Sequence, residues 1–196
     1  MAGKTDTERR LLEAMLKVAS EVGYARATTR RIAQEARVAE LTLFRRFGSK
    51  QELFRQMLRT YGFLPRLRQV LAGLQNVQPR PALRSVGLRY IATLKERKAL
   101  VKVILSEIST QPGALRGVYV ELIEQMVDLL AGYLRRHRQE LRRPLRARRA
   151  ARAFLGMIFS YFLSEEILKN RTIGARQMQE AVGNMVEIFL RGIQRP

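Results

Sequence analysis

Cysteine is absent, and with it disulfides, thiolate nucleophiles and thiolate metal sites. Tryptophan is absent too. Histidine occurs once, as His137 inside an arginine run, so a histidine-dependent triad or an imidazole metal site has no material. Acidic residues are scarce beside basic ones: 17 Asp and Glu stand against 37 Lys and Arg, a formal charge of +20. The longest uncharged run, Ala153 to Ser164, falls short of the about 20 residues a membrane-spanning helix needs. The opening MAGKTDTERR has no apolar core of a signal peptide. A cytoplasmic protein without a membrane segment is therefore expected. Glycine and proline are sparse, and neither an Asn-Gly hairpin nor sustained two-residue alternation marks a strand.

What remains is material for helices. With 196 residues and 46% hydrophobic content, the chain can bury a real core as one medium domain or two small ones. Its basic excess calls for a polyanion, of which nucleic acid is the commonest, or else is a solvated surface. Enzymatic chemistry is not expected: there is no Gly-rich phosphate loop and no metal-ligand spacing. Glu165 and Glu166 adjoin, so on a helix they point in different directions and make no acid/base pair. No cofactor is implied.

The apolar spacing predicts an all-α protein of about nine helices. Thr5 to Glu8 has capping-box spacing for a first helix stopped by Gly23. Leu11, Met15, Val18 and Val22 form its inner face. A second helix opens at Thr28 or Thr29, either of which can accept from free N–H groups, and carries Ile32, Ala33 and Ala36 inward. A third spans about Glu40 to Phe47, with Leu43 and Phe47 inward and Gly48 as its end. Ser49 and Glu52 cap a fourth, kinked or broken near Gly62 and Pro65 before it resumes to about Leu74. Further helices are predicted from Pro81 to about Lys95, Ala99 to Ser109, Leu115 to Arg138, Leu145 to Lys169 and Ala175 to Ile193. Gln111-Pro112-Gly113 and Pro144 act as breaks. The expected organisation is an N-terminal three-helix unit, residues 1–54, and a larger bundle, residues 55–196.

The second and third helices are short, and a turn around Arg37 to Ala39 lets them cross steeply, as in a helix-turn-helix. Small Ala33 and Ala36 permit close approach, while Val38 and Leu43 lock the angle. Glu40, Leu41, Thr42, Arg45 and Arg46 then point outward near the start of a helix that can enter a major groove. Arginine can grip a guanine edge or a phosphate, and threonine can contact a thymine methyl or a phosphate. Lys50 sits in the first turn of the next helix, where backbone N–H groups already favour phosphate, and Thr28 offers the same kind of contact. Thr29 and Arg37 complete the candidate DNA-binding set. Phe44 reads equally as a backbone-packing aromatic or as core filler.

This stretch resembles the TetR family of bacterial repressors. The match is G-Y-x-x-A-T-T-x-x-I-A-x-x-A-x-V over Gly23 to Val38, followed by T-L-F-R-R-F-G-S-K-x-E-L over Thr42 to Leu53. The resemblance implies a homodimer of all-helical subunits that reads double-stranded DNA at a palindromic operator. It also implies a C-terminal bundle that holds a small effector and dimerises through its last two helices. Carried over position by position, Thr28, Thr42, Phe44, Arg45, Arg46 and Lys50 face DNA. Four positions depart from the family pattern. Arg37 replaces a turn glycine, Ala39 a capping Ser/Thr, Leu41 a glycine and Phe44 a tyrosine.

In the last two helices Phe154, Ile158, Tyr161 and Phe162, then Met178, Val182, Met185 and Phe189, recur at helical spacing. They either fill the bundle core or form a four-helix dimer seam, with Gly156 and Gly183 allowing close approach. Candidate lining for an apolar or amphipathic effector is Leu67, Ile91, Leu94, Ile104, Ile108, Tyr119, Ile123, Met126 and Phe159. Residues 135–152 hold nine arginines. They read as a solvated helix end, an auxiliary DNA contact or a site for an anionic effector such as an acyl-CoA. The leading expectation is an effector-released dimeric repressor. The alternative is a ligand-independent DNA-bound structural factor of the same fold.

Overall fold

The computed structural model describes residues 6–110, 116–141 and 146–193, side chains at 108–110 and 193 excepted. Among these residues ten α-helices form and no strand does. They are α1 (Asp6–Val22), α2 (Thr29–Glu35), α3 (Glu40–Phe47), α4 (Lys50–Tyr61), α5 (Phe63–Gly73), α6 (Pro79–Glu96), α7 (Lys98–Thr110), α8 (Arg116–Arg136), α9 (Ala147–Phe162) and α10 (Ala175–Ile193). Of the kink or break expected near Gly62 and Pro65, the chain takes the break: it falls at Gly62, whose backbone is extended (φ −72, ψ −176), while Pro65 lies in the first turn of α5. Helix α6 starts two residues ahead of the expected Pro81, because Pro79 takes its first position, where a missing N–H costs nothing. The cap at Thr5 and the breaks at 111–113 and Pro144 lie outside the described residues.

The chain divides into two compact units, Met1–Gly62 with Ala99–Val120, and Phe63–Lys98 with Glu121–Pro196. The boundary expected after residue 54 therefore falls inside α4. Leu53, Phe54, Met57 and Leu58 are all buried along that helix, and a continuous apolar face packed on α1 leaves no place to cut it. In the first unit α1 packs on α2 and α4, and α3 bridges α2 and α4. Leu11, Met15, Ile32, Leu43, Leu53 and Phe54 are fully buried there, each contributing about 1.5–3 kcal/mol of transfer free energy.

In the second unit α6 packs against α5, α9 and α10. Phe63 stacks on Tyr90 at 4.4 Å between centroids, Phe154 meets Phe189 at 5.1 Å, and the Tyr133 hydroxyl donates to the Val77 carbonyl at 2.6 Å. The helix expected to run unbroken to Lys169 changes character: Leu163–Leu168 is a π-helical turn. That turn carries Glu166 into the interior, 3% exposed, where Lys98 donates to it at 2.9 Å and the Ile173 N–H at 2.9 Å. Burial opposes ionisation of Glu166. The Lys98 and Ile173 hydrogen bonds and the charges of Lys98 and Lys95 outweigh it and hold the carboxyl below the usual glutamate range.

Candidate nucleic-acid interface

Helix α2 begins at an N-cap, Thr28, whose hydroxyl accepts from the Arg31 N–H at 3.2 Å; Thr29 is the first helical residue. The Thr29 hydroxyl instead donates to Glu40 at 2.5 Å, tying the start of α2 to the start of α3. Glu40 is thus held inside the helix pair. Between the helices Arg37 adopts φ +54, the left-handed conformation its glycine-like position demands. Ala39 caps α3 with no side-chain hydrogen bond, as expected of alanine. Leu43 and Phe47 face the core; Leu41, Phe44, Arg45 and Arg46 face solvent, and Thr42 is half-buried. Phe44 is 43% exposed, which excludes the core-filler reading. Arg46 pairs with Glu8 of α1 at 3.4 Å, an exposed contact that solvent screens.

Ser49 caps α4 by accepting from the Glu52 N–H at 3.1 Å. Lys50 follows, and its ammonium is already engaged: it donates to the Tyr24 carbonyl at 3.0 Å and lies 4.2 Å over the Tyr24 ring. Burial lowers the Lys50 pKa, and the nearby Glu107 charge works the other way. Glu107 of α7 is itself buried and accepts from the Ala25 N–H at 3.3 Å. Neither Tyr24, Glu107 nor Glu8 stands out in the sequence as part of this site. Glu107 lies 82 residues from Ala25, and no local pattern marks such a contact.

The candidate effector residues fall in both units. Leu67, Ile91 and Leu94 are buried in the second unit, where Met126 and Phe159 are half-buried and Ile123 is exposed. In the first unit Ile104 is half-buried and Tyr119 buried, while the Ile108 side chain lies outside the described residues. The Tyr119 hydroxyl has no hydrogen-bond partner among the described residues, and burial drives its pKa far above the ordinary tyrosine value.

The seam residues need correction. Phe154, Ile158, Phe162 and Val182 are fully buried inside their own subunit and Phe189 nearly so, because α9 and α10 turn these faces toward α6 and each other. Tyr161, Met178 and Met185 are half-buried. Gly156 and Gly183 have open space where a Cβ would stand, and Ile188 is 65% exposed. In the basic cluster Arg148 pairs with Glu124 at 2.5 Å and with Asp128, and Arg152 pairs with Glu124. Arg135, Arg146, Ala147, Arg148 and Arg149 lie around a shallow, open part of the surface. Arg142 and Arg143 lie outside the described residues. Among the described residues no group of acidic or histidine side chains is placed to hold a metal, and no helix is long and apolar enough to cross a membrane.

A helix-turn-helix braced by α1 and α4, joined in one chain to a helical bundle, is the build of a transcriptional regulator. Residues 11–57 match the tetR family of bacterial regulatory proteins, and residues 81–192 match the C-terminal domain of AefR-like transcriptional repressors. The second match spans more than half of the chain, which belongs to the TetR family. It is similar to YvkB of Bacillus subtilis (strain 168), described as an uncharacterized HTH-type transcriptional regulator. The two are 26% identical over 188 residues, covering 95% of this chain and 97% of that protein. Among solved structures it resembles a TetR-family regulator from Mesorhizobium loti, with a TM-score of 0.81 at 20% identity over 98% of this chain and 100% of that one. It also resembles the FadR regulator of Bacillus subtilis in complex with stearoyl-CoA, with a TM-score of 0.76 at 19% identity over 95% and 99% of the two chains. At these identities the structural likenesses speak for the fold alone.

Proposed function

We propose that this chain is a dimeric repressor that binds a palindromic operator through Thr28, Leu41, Thr42, Phe44, Arg45 and Arg46. A small apolar or amphipathic effector releases it. The carrying observation is α3: a short helix whose inner side is locked by Leu43 and Phe47 while Leu41, Phe44, Arg45 and Arg46 stand in solvent. Thr29, Arg37 and Glu40 shape the turn that aims it. Lys50 meets phosphate by leaving the Tyr24 carbonyl. In this reading the N-terminal unit recognises DNA and the remaining bundle senses the effector.

Two-fold pairing through the solvent-facing sides of α9 and α10 supplies the second reading helix, since a dimer presents two helices to half-sites one helical turn apart. Gly156, Tyr161, Met178, Gly183, Met185 and Ile188 line that seam. Effector binding in the bundle then shifts the population toward a spacing that no longer fits the half-sites.

Selection of binding sites from random duplex DNA tests the reading. A palindrome should emerge, and its affinity should fall steeply with salt as phosphate contacts release counterions. Enrichment without sequence preference refutes it. Thermal shift with free fatty acids and long-chain acyl-CoAs tests the effector, because a ligand of the native state raises the melting temperature. If no compound shifts melting or loosens the operator complex, the same fold acts as a ligand-independent DNA-bound factor.

A further inference from the structure

Of the polar groups on α3, two are engaged within the chain: Glu40 by Thr29 at 2.5 Å and Arg46 by Glu8 at 3.4 Å. The most exposed large apolar side chain on this helix is Leu41, 68% accessible at the second position. Phe44 follows one turn later on the same side of the helix. Together they make an apolar strip on a cationic head, with Arg45 and Arg46 immediately beyond. The N-terminal turn of a reading helix is the part that meets base edges. Leucine has no donor or acceptor for them. Of the features a base pair shows in the major groove, the 5-methyl group of thymine is the one that offers an apolar side chain a methyl-sized contact.

We infer that Leu41 is a specificity-determining residue that reads the 5-methyl group of a thymine in each half-site. The inference rests on the DNA-reading role proposed above. The surrounding arginines hold the phosphates and bring the strip down onto the floor of the groove. Leu41 then selects a T·A pair by covering its methyl, and Phe44 closes the contact against water from the side of the next turn. A glycine at this position could not make the selection, so the operator carries a thymine there because of this residue.

The test begins with the selected operator. Each thymine of a half-site is replaced singly by uracil, which keeps every hydrogen bond and removes only the methyl group. For the native chain one position should weaken about four-fold, the worth of one methyl-sized group removed from an apolar contact. For Leu41→Ala the same replacement should change nothing, while that variant binds thymine and uracil operators equally. The variant's melting curve should match that of the native chain, because the removed atoms are in solvent. If no thymine is sensitive to demethylation, or if sensitivity persists in Leu41→Ala and vanishes in Phe44→Ala, the assignment to Leu41 is overturned. If the selection itself yields no motif, the repressor reading fails and takes this inference with it.

Discussion

Arg37 and Ala39 flank the turn of the reading head, and each departs from what its backbone position favours. A left-handed conformation puts the Arg37 Cβ against its own carbonyl neighbourhood, a penalty glycine escapes. Ala39 leaves the first N–H groups of α3 without a side-chain acceptor. Arg37→Gly and Ala39→Ser should each stabilise the fold by about 0.5–1 kcal/mol. For a chain of this size that is a rise of roughly 2–4 °C per kcal/mol in melting temperature by calorimetry. A fall in either case would mean the turn gains something from the native residue that its geometry conceals. Both positions were legible from the sequence, because caps and left-handed turns are local matters set by residues within three or four positions. Lys50 was not: its partner is a backbone carbonyl at Tyr24, 26 residues earlier, and nothing in either residue's neighbourhood points to the other.

Between elements, Gly87 of α6 lies close against α9 and α10. A Cβ built there would come within 2.7 Å of Val182 Cγ1 on α10 and 3.3 Å of Ile158 Cδ1 on α9. Gly87→Val should cost about 1–3 kcal/mol, because β-branched Val182 has little room to turn away. Chemical denaturation measures this, and an unchanged midpoint would mean that α6 slides freely. The periodicity of α9 and α10 was visible in the sequence, but the direction each face points was not. A stripe of Phe154, Ile158 and Phe162 looks the same whether it meets its own chain or a second copy. The π-helical turn was also hidden, since the partners its Glu166 meets, Lys98 and Lys95, lie about 70 residues earlier in the chain. Glu166 has a folded-state pKa below its ordinary value of 4.5, so its ionised form stabilises the fold above that pH. That contribution fades as acidity carries the pH down through the folded pKa. Glu166→Gln should therefore lower stability by about 1–3 kcal/mol at neutral pH. The gap to the native chain should narrow below about pH 4.5 in a melting series. A gap constant with pH would assign the loss to packing rather than to charge.

For the whole molecule, the fold was the most legible level: few breakers, no strand pattern and a strong helical period leave an all-α solution. Assembly was the least legible, because one chain's sequence does not say which apolar residues survive to the surface after the core has taken its share. Gly156 is the informative position. Open space surrounds its missing side chain in the subunit, so Gly156→Arg should leave circular dichroism and melting of the monomer intact. Light scattering should nevertheless show a half-mass species if the seam is here. A variant that stays dimeric moves the interface elsewhere on the surface.

The grip of Glu107 on the amide of Ala25 carries one more consequence. Helix α7 and the beginning of α8 cluster with the N-terminal helices, so the wall behind the 23–25 turn is supplied by chain that arrives long after the reading helices are made. A peptide ending at Gly62 would keep the residues of α1 to α4, yet lack the Glu107 carboxylate that holds the Ala25 amide. The compact unit that holds the helix-turn-helix is therefore discontinuous in sequence, and a fragment that omits residues 99–120 loses part of it.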